Sequence, residues 1–496
     1  MTQYYVSLIG NNLNNGLTES TAWRTITYSA TKAQAGDTVN IEGGNYGEEY
    51  VIIENSGNVN NPIIFQGYDG TPIITGNNIE YGISAIGSNL VPKQYITLNN
   101  IKVTNYSNGI YFKYANHITV DKCIVDNIGV GALSGYGILY EHTDNSVIRN
   151  CTLTDGGSMV GIYIIESHNN IVDNCKVYQI TTLQDYAMVI AYGHDNTIQN
   201  CLAQNNCGSI IWHGIGIKDY PWAVPPYYLS PFSYNNKITD CIANGYGEGF
   251  FIAHHAYNNE ISNCYTDRIN IPTEGHWMSG ICIRDSAHDN IIKKCIVIGY
   301  VYGINLELTG EDVSPLPKGT NYNKFYNIIV KDCYVGIMLR DSNYNKFYNL
   351  TMNNMSNFML RTFTESNNLV TNSILSNIPI LYYTWDTVGT VSLTYCNFWN
   401  NGFVTPSGIG NISLNPLFAD ITNNDYHLKS QYARWNGITW VQDTVTSPSI
   451  GAGDPTSNNS LSPWNGRIEM GTYGNTPESS SGVCPIPICD ISLIQL

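Results

Sequence analysis

Apolar and polar positions alternate along most of the chain in two short recurring phrases. One reads Asn-x-(Ile/Val/Phe)-x-(Asn/Asp)-Cys. It runs from Asn145 to Cys151, Asn170 to Cys175, Asn196 to Cys201, Asn236 to Cys241, Asn259 to Cys264 and Asn290 to Cys295. Three later copies keep the frame without the Cys: Asn323 to Ile328, Asn345 to Leu350 and Asn368 to Ser373. Ile96-Leu98-Ile101 and Ile118-Val120-Cys123 keep it without the Asn, and Cys396 after Leu393 extends the series. The other phrase is built on Gly-Ile and precedes the copies at Gly109, Gly137, Gly161, Gly214, Gly249, Gly280, Gly303 and Gly336. Alternation with period two predicts strands. The shortest repeats are 22 to 24 residues long. Two or three short strands in that length predict one coil of a parallel β-solenoid. A leucine-rich repeat would need a helical segment and a Leu-rich consensus, and neither is present.

Stacking then turns each repeat position into a ladder. Ile110, Ile138, Ile162, Phe250, Ile281, Ile304 and Ile337 form one inward column, the cysteines another, and the asparagines a turn ladder of amides. Thirteen Cys, one per coil rather than in convergent pairs, read as small buried thiols. Cys151, Cys175, Cys201, Cys241, Cys264 and Cys295 are expected inward and reduced. Only Cys484-Pro-Ile-Pro-Ile-Cys489 offers a local disulfide, in the tail.

Composition narrows the class. Hydrophobic residues make up 43% and charged residues 12%, with a net charge of −16. The apolar share excludes a disordered chain, and 23 cationic residues give no basic face for nucleic acid. No run approaches a membrane span. Asn (about 60 residues), Gly (45) and Tyr (37) are the biased types, favouring tight turns and half-buried strand faces. Met1-Thr-Gln leads straight into a strand-like segment. We read this as a leader already removed, or export by another route, to the extracellular space or cell surface, with a virion-associated protein as alternative.

The candidate chemistry follows from counting onward from each repeat Gly. Five residues on, the column reads Tyr114, His142, Glu166, Tyr192, Asp219, His254, Asp285, Leu308, Asp341; one residue earlier it includes Lys113, Glu141, Lys218, Arg284, Glu307 and Arg340. Solenoid corners usually carry Asn, Ser, Thr and Gly, so charge concentrated here marks an outer-face site. Two over-long coils leave from the same corner, at Asp219 to Tyr234 and Thr309 to Thr320, and predict two walls. The first contains Trp222, Tyr227 and Tyr228, which suit stacking on sugar rings. His254, His255, Arg284, Asp285 and Lys218 are the catalytic candidates. Asp219, Trp222, Tyr227, Tyr228, Tyr192, Glu166, Glu307, Arg340 and Asp341 are the substrate-binding candidates. Arg284 with Lys218 or Arg340 would hold a carboxylate, His254, His255 or Lys218 would be the base, and Tyr192 or a His the acid. Hydrolysis would instead draw two carboxyls from Asp219, Asp285, Glu307 and Glu166. Stacked ion pairs that merely hold the turn are the bland alternative. His276 and Trp277 mark the next place to look.

The ends carry a resemblance. Tyr4-Tyr5-Val6-Ser7, Ala22-Trp23-Arg24-Thr25-Ile26, Ala35-Gly36-Asp37-Thr38-Val39 and Gly43-Gly44-Asn45-Tyr46 are similar to the N-terminal cap of secreted right-handed β-helix proteins of the pectate-lyase-like superfamily. Asn465-Gly466-Arg467 and Met470-Gly471-Thr472-Tyr473-Gly474 resemble the closing segment of such surface proteins. The resemblance implies an all-β fold: a single right-handed parallel β-helix of roughly a dozen coils, with a capping helix over residues 20 to 34. Residues 1–60 would be the cap and first coils, 61–415 the repeats, 416–480 the closing segment and 481–496 a tail. It also implies action on an extracellular, acidic polysaccharide by β-elimination or epimerisation. Glycoside hydrolysis, or a non-catalytic adhesin, tailspike or surface protein, are the alternatives. Calcium is the one cofactor left open, although Asn11, Asn12 and Asn14 stand where members often carry an acidic residue. A metal at His254, His255 and Asp285 is a further alternative. The partner implied is a polysaccharide. The oligomeric state is not set.

Overall fold

A computed structural model of the chain describes residues 2–78, 80–129, 135–154, 160–179, 185–206, 211–219, 232–268, 278–308, 319–363, 366–384, 391–464 and 466–482. The fold is all-β and forms parallel β-helix coils. It divides into two compact units, one built on Met1–Ala287 and the other on His288–Leu308 with Lys318–Leu496.

In the first unit a coil has a long front strand and two short back strands. Tyr246–Ala253, Glu260–Ser262 and Tyr265–Asp267 make one such coil. Front strands pair in parallel and in register, Ile110 with Ile138 and Ile138 with Ile162. The inward column is fully buried. At Gly137 an added Cβ would lie 2.5 Å from Gly161 O and 2.6 Å from Leu153 Cδ2, so the repeat Gly is where neighbouring coils come too close for a side chain. The second unit repeats the plan, pairing Ile304 with Ile337 and stacking Phe325 on Phe347. Its coils are closed by a segment in which Phe418, Tyr426, Leu428 and Met470 cover Ile329 and Ile374.

The Asn–Cys phrase supplies two corner devices. The residue before each Cys of the phrase, mostly Asn or Asp, takes the left-handed conformation these residues tolerate, with φ 55° at Asn150, 49° at Asn174 and 54° at Asn200. From Asn170 onward the first Asn of the phrase is buried, whereas Asn145 is exposed. Asn170 N and Nδ2 donate to Asn196 Oδ1 at 2.9 and 3.0 Å, and Asn196 and Asn236 repeat the bond to the next coil. In the second unit Asn290, Asn323, Asn345 and Asn368 do the same. In the copy read as starting at Asn145 the ladder position is instead Ser146, whose hydroxyl accepts from Ile118 N at 2.9 Å.

The ten described cysteines are buried and form no disulfide. Cys151, Cys175, Cys201 and Cys241 each donate to the carbonyl two residues back at 3.0–3.4 Å. Native protein should therefore leave these thiols unmodified by an aromatic disulfide reagent until denaturant is added. A mass map showing any of them cross-linked would overturn the ladder. Cys207, Cys484 and Cys489 lie outside the described residues.

The N-terminal helix is shorter than expected. It spans Ile26–Lys32, with Glu19–Thr21 as a separate 3-10 turn, because Thr25 caps it (Tyr28 N to Thr25 Oγ1, 3.2 Å) and Glu49 accepts from Ile26 N and Thr27 N. A larger departure concerns the front sheet's outer face in the first unit. It is not bare: Tyr111, Leu139, Tyr163, Val189 and Phe251 are buried there as one cluster.

Candidate functional site

Register decides which side chains meet. Ala191, Lys218, Ala253 and Arg284 align across four neighbouring front strands. One residue on, Tyr192, His254 and Asp285 share left-handed backbone, φ 51°, 57° and 53°. Asp219 is the exception in that column, for here the chain departs into 220–231. Its carboxylate brackets the departure, with Oδ1 accepting from Tyr192 N (3.2 Å), Ser233 N (3.1 Å) and Ser233 Oγ (2.8 Å). Burial raises it to about 7, the Ser233 and Tyr192 donors pulling the other way.

A further column, the residue before the repeat Gly, aligns Tyr186, His213, Glu248 and Ser279. Strict alternation from the inward Ile would send this position inward. Instead it joins the outer face, where Lys218 Nζ donates to Tyr186 Oη at 2.7 Å. His213 Nδ1 lies 2.7 Å from Glu248 Oε2, and Arg284 Nε lies 3.4 Å from Glu248 Oε1. Asp285 Oδ2 stands 3.5 Å from both Arg284 Nη1 and His254 Nδ1, so the expected His254–Asp285 approach occurs, beyond good hydrogen-bond length.

These groups are buried rather than lining an open outer groove. Lys218 is 4% exposed and Asp285 fully enclosed, while the Arg284 and His213 side chains keep 14% and 12%. Burial drives the Lys218 ammonium down to about 7, with Asp185 opposing and Arg284 adding repulsion. Burial also holds His254 well below its usual range, helped by Arg284 and Lys218, so its imidazole is neutral. For Glu248 burial pushes upward, but Arg284 and His213 outweigh it and bring the carboxyl to about 2. Arg284 is held charged: burial works against it, and Glu248 more than compensates. His255 faces the Phe232 ring, centroids 5.4 Å apart.

The other candidates fall elsewhere. Glu166 pairs with His142 (2.8 Å), which stacks on Tyr114, beside a Lys113–Glu141 pair at 2.6 Å. Glu307, Arg340 and Asp341 belong to the second unit. There buried Glu307 accepts from Asn305 Nδ2 at 3.0 Å, and Arg340 stands 5.6 Å over the Phe363 ring. Trp222, Tyr227, Tyr228, His276, Trp277 and most of both inserts lie outside the described residues. Counting forward from the Gly missed Tyr186, His213 and Glu248. The signal for them is a Tyr, His and Glu at one fixed offset in three consecutive repeats.

No three His, Cys, Asp or Glu side chains converge as a metal site among the described residues. The first turn does not fit calcium either. Asn12 Oδ1 accepts from Arg24 N and Thr25 N, Asn11 Oδ1 from Leu13 N, and Asn14 Nδ2 donates to Ala22 O.

Known proteins place the coils in a wider group. Residues 108–273 match the family described as right handed beta helix region. Residues 393–453 match a second family, described as disaggregatase related. No curated protein matches the chain. Among solved structures, the pectate lyase Pel9A is 14% identical with a TM-score of 0.38, covering 95% of this chain and 96% of its own. A glycoside hydrolase is 11% identical with a TM-score of 0.48, over 69% of this chain and 96% of its own. An alginate lyase from Paenibacillus sp. str. FPU-7 is 12% identical with a TM-score of 0.35, over 74% and 94%. These likenesses assign no chemistry.

Proposed function

We propose that the protein is a carbohydrate-active β-helix enzyme acting on an extracellular acidic polysaccharide, by β-elimination or by epimerisation at C5 of a uronate. The observation that carries this reading is the Lys218–Arg284 column. It sets an amine near neutrality two coils from a permanent cation, about 9–10 Å apart along the sheet. Proton removal beside a carboxylate needs both: a cation to neutralise the acid, and a base whose proton affinity suits the working pH.

In the elimination, Arg284 and the solvent-reached edge of His213 receive the carboxylate. Neutral Lys218 takes the C5 proton, the C4–O4 bond breaks, a C4=C5 double bond forms, and Tyr186 returns a proton to the leaving oxygen. Epimerisation would stop at proton removal and return the proton to the opposite face of C5. Hydrolysis is supported less well, because the carboxyls nearby are already engaged: Asp219 by Ser233, Glu248 by His213 and Arg284.

A panel of polyuronates and neutral glycans tests the reading, with ultraviolet detection of unsaturated uronate, reducing-end assay and proton exchange at C5. Unsaturated product, or exchange without cleavage, supports it. Reducing ends alone, or no change on any acidic polymer, would contradict it. The pH profile is a separate expectation. Lys218 acts only when deprotonated, so kcat/KM should rise through pH 7 and level off above it. A rate that falls through that range would exclude Lys218 as base.

A further inference from the structure

The closing segment of the second unit folds around a pocket of about 330 Å3, at the small end of the ~300–1,000 Å3 range of small-molecule sites. Trp464 forms one wall. Its indole N–H donates to Ser479 O at 2.8 Å, which fixes the plane of the ring. Trp440 meets Trp464 edge-on with centroids 5.1 Å apart, and Trp435 meets Trp440 at 5.4 Å, so the wall is backed by aromatic packing.

The remaining lining is polar and incompletely bonded. Glu469 is 4% exposed; its Oε2 accepts from Ser480 N at 3.0 Å, and Oε1 has no hydrogen-bond partner among the described residues. Asn459 Oδ1 is buried and also lacks a partner, while its Nδ2 donates to Gly466 O at 3.2 Å. Burial raises Glu469 to about 8, against the pull of Ser480 and His427, so near neutrality it is a hydrogen-bond donor rather than a negative charge. At the exposed rim, Arg467 gives Nε to Gly453 O and Nη2 to Ala452 O, which leaves the second amino group of its guanidinium for a ligand.

A flat indole wall, a buried donor and acceptor, and one rim cation match one chemical class. We infer that this pocket binds a single pyranose ring carrying a carboxylate, as the end or side group of an acidic glycan. The apolar face of the ring lies on Trp464, its hydroxyls meet Glu469 and Asn459, and its carboxylate meets Arg467. The site is independent of the Lys218–Arg284 chemistry and would anchor glycan whether or not that reading holds.

Calorimetry on the full chain, with methyl glucuronide, methyl galacturonide and their neutral methyl glycosides as probes, tests this. At least one uronide should bind tenfold or more tightly than its neutral counterpart. The preference should persist in Arg284→Ala, where the front-sheet cation is gone, and adding Arg467→Gln in that background should remove it. Absence of binding by all four probes, or equal affinity for acid and neutral forms, would overturn the inference; both are read on the unaltered protein, so they hold if the Arg467 variant does not fold. Loss of uronide binding in Arg284→Ala would overturn it too, by moving the binding to the front sheet.

Discussion

Lys218→Met should lower turnover on the substrate polyuronate by about 10²–10⁴-fold, the range expected when a general base is removed. The fold should survive. Methionine fills most of the volume of the lysine stem, and the substitution takes a poorly solvated amine out of a site 4% exposed. The losses include the hydrogen bond to Tyr186 and the ammonium's 3.9 Å approach to its ring. Circular dichroism and the melting temperature should match the parent while product formation falls to the solution background. The rise in rate through pH 7 should vanish with the amine, which a merely structural lysine would not cause. Full activity in a folded Lys218→Met protein would place the base elsewhere.

Asn236→Ala should cost about 2–6 kcal/mol of stability, read from the urea midpoint. The Asn236 side chain accepts from Asn196 N and Nδ2 at 3.0 Å and donates to Gly193 O at 2.8 Å, with no exposure. Alanine leaves a backbone N–H and a backbone C=O of the neighbouring coil unpaired in a dry interior, and each such group costs about 1–3 kcal/mol. Asn236→Asp should not rescue the loss, since it keeps the acceptor but removes the donor and buries a charge. A shift below about 1 kcal/mol would mean the amide ladder is dispensable.

The coils were legible because their signals are local and repeated. A repeat of 22 to 24 residues, a Gly where neighbouring coils approach closely and an Asn that stacks on itself each follow from single-coil geometry. The end of the front strand was legible for the same reason: a fixed count from the Gly lines up Tyr192, His254 and Asp285. The residue before the Gly was not, because the period-two count fails there and turns Tyr186, His213 and Glu248 outward. Burial of the outer face has a signal of its own in the sequence. Front strands such as Val160–Ile165 and Tyr186–Ala191 are apolar at both odd and even positions, the mark of a strand covered on both faces. The role of Asp219 was beyond reach, since its partner Ser233 stands on the far side of an insertion.

The two corners of a coil make similar left-handed turns with different residues. At one, asparagine and aspartate predominate; at the other stand His142, Glu166, Tyr192, His254 and Asp285, with φ between 47° and 57°. Backbone of this kind costs a bulky side chain about 1–3 kcal/mol that glycine would not incur. The second corner is therefore a reserve of backbone strain, part of it, at Tyr192, His254 and Asp285, held beside the strands that carry Lys218 and Arg284.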